Sequence, residues 1–357
     1  MEKTMAKKRM TKKERMRQRR RRQRMMFGGG LLLVAVVFTV ILLLLGSKGC
    51  GISKAEGDEV EAVPSAEATE APTVEPTPTP EPVPSVDISD INSRSGILVR
   101  LSDGKVVAEK DADAKIYPAS MTKIMTVIVA IENLDDLEAT ITLTDEMFAG
   151  LYEQDATQAG FQPGEDVRVI DLLYGAMLPS GAECCIALAD TISGSEADFA
   201  ELMNKKAAKL GMDNTHFCDS TGLHNPDHYS TVKDIAVLMK YCIKNDTFRE
   251  IVESPRHSTG VTNIHPDGIT YYSTMFKNLP DPTVTGGKIL GGKTGYTSEA
   301  GHCLTSFAEI EGREYIFVSA GAVGDNTNTI PHIQDAVNIY NRVGAAIEEK
   351  MNNGSEG

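Results

Sequence analysis

The chain has 357 residues, of which 41% are hydrophobic, so it can bury the core of one large domain or of two ordinary ones. Its formal charge of −14 is unevenly distributed, because residues 1–26 hold 13 of the 36 basic residues but only two of the 50 acidic ones. A short basic tail on a strongly acidic body argues against a nucleic-acid-binding protein.

An apolar segment at 27–46 directly follows this basic tail. Twenty helical residues are about 30 Å long, which matches the hydrocarbon core of a bilayer. Because positive residues precede the segment, the N-terminus is expected in the cytoplasm and the rest of the chain outside. A cleaved signal peptide is the alternative, although no small-x-small cleavage site follows Leu45. The sequence therefore predicts a single-pass anchor in the cell membrane at 27–46, preceded by a cytoplasmic tail at 1–26.

Residues 47–87 consist largely of Glu, Ala, Pro and Thr and offer almost nothing to bury. Proline and the repulsion between negative charges keep such a segment extended. We expect a stalk that holds the following domain, predicted at 88–350, away from the membrane.

The predicted domain begins with a β-hairpin, whose strands at 95–101 and 106–110 flank an Asp-Gly turn. Helical patterns then occupy the middle of the chain, at 121–134, 167–177, 183–192, 196–210 and 231–244. Three late strands at 291–297, 301–309 and 314–322 precede a closing helix at 331–351. Strands at both ends of the domain must meet in one sheet. This order predicts an α/β protein of the α+β type, with an antiparallel sheet rather than a doubly wound parallel one.

The pattern Ser-x-x-Lys occurs three times, at 102–105, 120–123 and 230–233. The first occurrence spans the predicted hairpin turn, and the third begins a helix with a surface pattern. Only Ser120 and Lys123 open a helix that is apolar on nearly all sides. Because residues i and i+3 lie on one helix face, this hydroxyl and this amine are expected to meet.

A serine and a lysine in this position are suited to nucleophilic catalysis. A lysine buried one turn into the helix loses water, which favours its neutral form, and a neutral amine can accept the proton of Ser120. The hydroxyl also lies near backbone donors at the helix N-terminus, which can stabilise an oxyanion. The structural alternative is that Ser120 is only an N-cap.

Two further motifs contain candidate site residues. Lys293-Thr294-Gly295 lies on a predicted strand with glycines on both sides of the lysine, where a ligand can approach the backbone and an ammonium group and hydroxyls can bind a carboxylate. The alternative is an edge-strand lysine beside a flexible turn. Ser180 lies between two predicted helices, where Ser180 and Glu183 would form a capping box. For Ser180 alone, the capping box is the favoured interpretation.

Together these motifs resemble those of the serine D-alanyl-D-alanine carboxypeptidases, the low-molecular-mass family of penicillin-binding proteins. The resemblance covers about residues 88–345. It rests on the following stretches: Tyr117-Pro118-Ala119-Ser120-Met121-Thr122-Lys123, Pro163-Gly164-Glu165, Leu178-Pro179-Ser180-Gly181, Asp219-Ser220-Thr221-Gly222-Leu223, His228-Tyr229-Ser230-Thr231-Val232-Lys233-Asp234, and 292–297.

The resemblance implies a penicillin-binding or β-lactamase-like transpeptidase fold, with a helical subdomain beside the sheet, and a role for each matching residue. Ser120 would be the acylated nucleophile, Lys123 its general base, and Ser180 a proton relay. The terminal carboxylate of a peptidoglycan stem peptide would bind to Lys293, Thr294 and Thr297, next to Gly295. β-Lactams would acylate Ser120, the same serine that attacks the peptide. Backbone N–H groups of Ser120 and Tyr296 would form the oxyanion hole, and neither a cofactor nor a metal is implied.

The sequence departs from the family pattern in two respects. Ala182 occupies the position of an asparagine in the middle motif, so either a neighbour such as Glu183 substitutes for it or activity is reduced. Many relatives also carry a β-rich C-terminal domain, which we do not expect here.

Residues in the sequence suggest three alternatives to a carboxypeptidase. A catalytically weak or inactive peptidoglycan-binding relative is suggested by Ala182. A zinc peptidase is suggested by His224 and His228, but Asn225-Pro226 interrupts any helix that would place both on one face. A β-lactamase would need a positioned carboxylate, for which Glu165 or Glu183 could be proposed, but neither lies in a recognisable pattern.

Overall fold

The computed structural model describes residues 84–324 and 330–354. The predicted cytoplasmic tail, the membrane anchor and nearly all of the stalk therefore lie outside the described residues. Within the described part, no helix is both long enough and apolar enough to cross a membrane. The predicted domain boundaries at 88 and 350 stay predictions.

A six-stranded antiparallel sheet, in the order β2-β1-β10-β9-β8-β7, forms the centre of the domain. Its strands are β1 (Ser95–Arg100), β2 (Val106–Lys110), β7 (Thr283–Val284), β8 (Gly287–Thr297), β9 (Gly301–Ile310) and β10 (Arg313–Ala322). Strand β1 pairs with β10, so that Ser95 lies opposite Ala320 and Arg100 opposite Tyr315. The prediction that the two ends of the domain meet in one antiparallel sheet is confirmed.

Helices cover the two faces of this sheet. Six of these helices precede residue 256, namely α1 (Thr122–Asn133), α2 (Val169–Met177), α3 (Ala182–Ser193), α4 (Glu196–Leu210), α5 (Val232–Cys242) and α6 (Asp246–Glu253). Two more follow, namely α7 (Thr274–Lys277) and α8 (Pro331–Gly354). Helix α5 packs against β1 and β10 on one face, whereas α8 packs against β9 and β10 on the other.

Alternation along the strands explains the two hydrophobic cores. Ile97 and Val99 of β1 belong to the core beneath α1 to α6, whereas Leu98, between them, belongs to the core beneath α8. Successive side chains of a strand point to opposite faces, so a strand that is covered on both sides is apolar throughout. Helix α1 lies inside the larger core, and its residues from Thr122 to Ala130 are all buried.

Most predicted elements agree with the structure within a few residues, and the differences have local causes. The helix predicted from 167 begins at Val169, because Asp166–Arg168 pairs as β4 with β3 (Thr140–Thr142). A second small sheet joins β5 (Arg256–Ser258) to β6 (Thr270–Tyr272). Strands of three residues are too short to show a period, so the sequence analysis missed them.

Candidate active site

Three segments that are distant in the sequence meet at a cavity of about 760 Å³. Ser120 at the start of α1, Ser180 before α3, and the strand segment Thr294 to Thr297 of β8 all line it. Lys123 and Lys293 are buried, with only 3% and 1% of their surface exposed. The structure thus brings together all eight residues that the sequence analysis selected.

Ser120 lies in a short 3₁₀ helix, Ala119–Met121, that leads directly into α1. Its predecessor Ala119 has a φ of 47°, a left-handed conformation that non-glycine residues rarely adopt. Neither helix start has a side-chain cap, and the cap positions are Pro118 and Met121. Ser120 is therefore not an N-cap, and its hydroxyl remains available for another role.

Lys123 connects Ser120 to the loop before α5. Its Nζ donates to Ser120 Oγ over 3.0 Å and to the carbonyl oxygen of Thr221 over 2.6 Å. Burial lowers the pKa of Lys123 below its usual value of 10.5. The geometry therefore places a hydroxyl next to an amine that loses its proton more easily than a solvent-exposed lysine does.

The loop around Thr221 is held close to the Ser120 segment. Asp219 Oδ1 accepts hydrogen bonds from the N–H groups of Thr221 and Gly222, at 2.8 and 2.7 Å. Gly222 has a φ of 82°, and a Cβ there would collide with the carbonyl oxygen of Ala119. Burial is the largest single influence and raises the pKa of Asp219, but the interaction with His228 and the hydrogen bonds from Thr221 and Gly222 together outweigh it, and the pKa falls to about 2. The loop thus depends on a glycine and an ionised aspartate.

Ser180 does not form the predicted capping box, and this interpretation was wrong. The N-cap of α3 is Gly181, without a side-chain hydrogen bond. Ser180 has a φ of 73°, and its Oγ accepts a 3.0 Å hydrogen bond from Lys293 Nζ. Glu183 is fully buried, and its Oε1 accepts instead from the N–H groups at 159 and 160. Tertiary contacts to β8 and to the 154–160 loop outweigh the local capping pattern.

Lys293 is the second buried amine of the site. Its Nζ also donates to the carbonyl oxygen of Thr294, at 2.9 Å. Burial, and then the charge of Lys123, lower its pKa well below 10.5. Ser120 and Ser180 therefore each accept a hydrogen bond from a buried lysine of their own.

Strand β8 lies directly against the Ser120 segment because residue 295 is a glycine. A Cβ at Gly295 would be 2.9 Å from Ser120 N and 3.1 Å from Pro118 O. Thr294 Oγ1 is 2.7 Å from Thr274 Oγ1 of α7, whereas Thr297 Oγ1 accepts from Ala300 N, over 3.1 Å, in the turn after β8. These contacts position one edge of β8 along the cavity.

The structure also identifies cavity residues that the sequence analysis missed. They include Gln154, Asp155, Thr157, Thr274, Asn278, His302 and His332. Residues on separate loops, helices and strands share no sequence pattern, so no motif could have selected them. Thr221 lies within one of the stretches that resemble the family, but the hydrogen bond from Lys123 to its carbonyl oxygen could not be predicted from the sequence.

Two rejected alternatives remain without structural support. His228 is buried, with Nδ1 3.0 Å from Asp219 Oδ2 and Nε2 2.9 Å from Thr122 Oγ1, and the described residues contain no group of three or more potential metal ligands. Glu165 accepts from the hydroxyl of Thr262 and does not line the cavity. Glu183 Oε2 has no hydrogen-bond partner among the described residues, so it does not bond to Lys123.

Residues 81–324 match the family model of the peptidase S11 D-alanyl-D-alanine carboxypeptidases. The chain belongs to this family. It is 33% identical to the D-alanyl-D-alanine carboxypeptidase DacF of Bacillus subtilis over 234 residues, which are 64% of this chain and 57% of that protein. It is 34% identical to DacC of Escherichia coli over 265 residues, 68% of this chain and 59% of that protein. The chain thus spans less than two thirds of both relatives.

The fold agrees with that of solved structures in this carboxypeptidase family. The crystal structure of the Streptomyces K15 DD-transpeptidase has a TM-score of 0.63 to this chain and is 29% identical to it. The match covers 71% of this chain and 98% of that one. The predicted transpeptidase-type fold, with an antiparallel sheet and helices, is confirmed.

Proposed function

We propose that the protein is a serine-type D-alanyl-D-alanine carboxypeptidase, which removes the terminal D-alanine from peptidoglycan stem peptides. The observation that carries the proposal is the 3.0 Å contact between Ser120 Oγ and the buried Nζ of Lys123. Family membership supports the substrate class, because the matching model and relatives are D-alanyl-D-alanine carboxypeptidases.

In the proposed acylation step, Ser120 Oγ attacks the carbonyl carbon of the peptide bond between the two D-alanines, and its proton passes to neutral Lys123. N–H groups of Ser120 and Tyr296 stabilise the oxyanion. The C–N bond then breaks, and the leaving amine receives a proton through Ser180, which is bonded to Lys293. Lys293, Thr294 and Thr297 contribute to binding of the carboxylate end.

Deacylation completes the cycle. Water attacks the ester carbonyl, the C–Oγ bond breaks, and Ser120 regains its proton while the shortened peptide leaves. A β-lactam would form the same type of ester. Its acyl group would remain on Ser120 as long as water cannot reach the ester carbonyl.

The test is intact-mass detection of a benzylpenicillin adduct on the purified chain. We expect one adduct on the wild type and none on Ser120→Ala. Ser102→Ala is the matched control, because Ser102 belongs to another Ser-x-x-Lys pattern on a hairpin turn. An adduct that persists on Ser120→Ala, or a folded wild type that forms none, would contradict the acyl-serine mechanism.

The second candidate is a catalytically weak or inactive peptidoglycan-binding relative. Ala182 motivates it, because this residue is buried and has no polar side chain to offer beside Ser180. In that case the chain would bind peptide with little release of D-alanine. Release of free D-alanine from a peptide ending in D-Ala-D-Ala, measured over many turnovers, distinguishes the two candidates.

We also propose that residues 27–46 anchor the protein in the cell membrane, with the carboxypeptidase domain outside. The support is the apolar segment after a basic tail. Deletion of 1–46 is expected to move the protein from the membrane fraction to the soluble fraction. Retention of the shortened chain in washed membranes would contradict this topology.

A further inference from the structure

The cavity walls contain no lysine or arginine among the described residues. The two lysines beneath the cavity are buried, bonded to serines and have lowered pKa values. Acidic and histidine side chains line the cavity instead, namely Asp155, Glu299, His224, His302 and His332. On the described cavity walls, the basic side chains that an anionic ligand can meet are therefore histidines, in addition to the buried Lys293.

Two of these histidines form a stacked pair beside β8. His302 on β9 lies opposite Tyr296 in the sheet, and His332 is the second residue of α8. The two imidazole rings are 4.8 Å apart between centroids and only 9° from parallel. The ring of Tyr296 is 4.7 Å from that of His302. Because Thr294 and Tyr296 are two positions apart on one strand, they share a face of the sheet, which places the Thr294 hydroxyl on the same side as the pair.

The surroundings of His332 determine which nitrogen can bind a ligand. The residue is 5% exposed, and its Nδ1 is buried without a hydrogen-bond partner among the described residues. A buried N–H without an acceptor is costly, so the hydrogen is favoured on Nε2, the nitrogen that remains available to the cavity. The ring can therefore act as a hydrogen-bond donor without carrying a charge.

The ionisation of His332 responds to few neighbours. Burial, and then the adjacent His302, lower the pKa of His332 to about 4, whereas Asp335 on the same helix raises it. The Asp335 carboxylate accepts hydrogen bonds from the backbone and side chains of Asn92 and Ser93. At neutral pH the ring is neutral, and a bound anion would favour its protonated form.

We propose that His332, stacked on His302, recognises the terminal carboxylate of the peptide by donating from Nε2 beside the Thr294 hydroxyl. This inference rests on the proposed carboxypeptidase function. A carboxylate that accepts from His332 raises the proton affinity of the His332 imidazole, so its binding takes up protons and strengthens as pH falls from neutral. A substrate whose terminus is a carboxamide lacks this coupling.

The experiment measures binding in a Ser120→Ala background, where no turnover is needed. The probes are an N-acylated tripeptide ending in D-Ala-D-Ala and its C-terminal carboxamide, studied by titration calorimetry at several pH values. His332→Phe keeps an aromatic ring for stacking but removes both nitrogens, and His332→Gln restores a neutral donor. His224→Phe is the matched control, because His224 lines the same cavity but packs its ring against Tyr117, at 4.8 Å between centroids, and is not part of the stacked pair.

We expect His332→Phe to raise the Kd for the carboxylate peptide about tenfold or more, the usual effect of losing a hydrogen bond to a charged group. The Kd for the carboxamide should not change, and His332→Gln should recover part of the loss. Proton uptake, obtained from buffers of different ionisation heat, should disappear in His332→Phe but not in His224→Phe. An unchanged preference for the carboxylate in His332→Phe, or an equal loss for both peptides, would overturn the inference.

This binding result is separate from the acylation test. If wild-type protein forms no penicillin adduct while Ser120→Ala still shows a carboxylate preference that depends on His332, the result contradicts the proposed carboxypeptidase function and supports the His332 site. If the adduct forms and the preference is independent of His332, the result supports the carboxypeptidase function and contradicts the His332 site.

Discussion

Lys293 Nζ donates to Ser180 Oγ over 3.0 Å, which joins two residues 113 positions apart in the sequence. The bond links strand β8 to the turn before α3, and it excludes Ser180 from the local helix cap. Together with the 3.0 Å contact between Lys123 and Ser120, it gives the cavity two hydroxyl–amine pairs. Single substitutions at these pairs and at their neighbours can separate the chemistry of the pairs from their structural effects.

Ser180→Ala is expected to slow acylation on the order of 10²–10⁴-fold, because a positioned proton-transfer group is lost. The melting temperature should change little, since Lys293 keeps its bond to the carbonyl of Thr294. Penicillin adduct formation, followed by mass against time, measures the rate. Ser195→Ala is the control, because Ser195 is a true N-cap that accepts from Asp198 N. It should lower stability by about 1 kcal/mol and leave acylation unchanged.

The acylation rate should rise with pH and level off below pH 10.5. Burial lowers the pKa of Lys123 beneath that usual value, so the neutral amine, which accepts the proton of Ser120, is formed at a lower pH. As pH falls through the lowered pKa, the amine becomes protonated and the rate declines. Single-turnover acylation rates, measured across the pH range, determine the pH at which this decline occurs. A decline centred at the usual lysine pKa would contradict the role of Lys123 as a base with a lowered pKa.

Gly295→Ala should impair acylation strongly, because a Cβ there would be 2.9 Å from Ser120 N and would push β8 away from the nucleophile. We expect a loss on the order of 10²-fold, since a displacement near 1 Å can cost that much. Gly260→Ala is the control, because its Cβ would find only the Arg168 side chain, at 3.4 Å. Equal acylation rates in both variants would show that the close approach is not needed.

Glu183→Ala should loosen the 154–160 loop that lines the cavity. The Glu183 carboxylate accepts from Ala159 N at 2.6 Å and from Gly160 N at 3.0 Å, and its loss leaves these donors without that partner. We expect a cost of about 1–3 kcal/mol in the free energy of unfolding and faster hydrogen exchange at both amides. Glu183→Gln retains an acceptor and should restore most of the protection. Unchanged hydrogen exchange at these amides in Glu183→Ala would show that Glu183 does not hold the loop in place.

Much of the architecture could be predicted from local patterns. The hairpin at β1 and β2 follows from two strand-like runs on either side of an Asp-Gly turn, and α4 coincides with its predicted range because Ser195 caps it and Gly211 ends it. The short strands β3 to β6 were missed, because three residues give no detectable period and their pairing depends on distant partners.

The sequence by itself determined the order of the long strands and of most helices, the antiparallel sheet and the selection of Ser120, Lys123 and Lys293, because periodicity and side-chain chemistry are local properties. Only the tertiary structure decided the role of Ser180, where a bond to β8 replaced a plausible cap, and the approach of Gly295 to Ser120. It alone also brought His302 and His332 into one stack. These relationships depend on which distant segments pack together, and packing is determined by the folded core as a whole rather than by any local stretch of the chain.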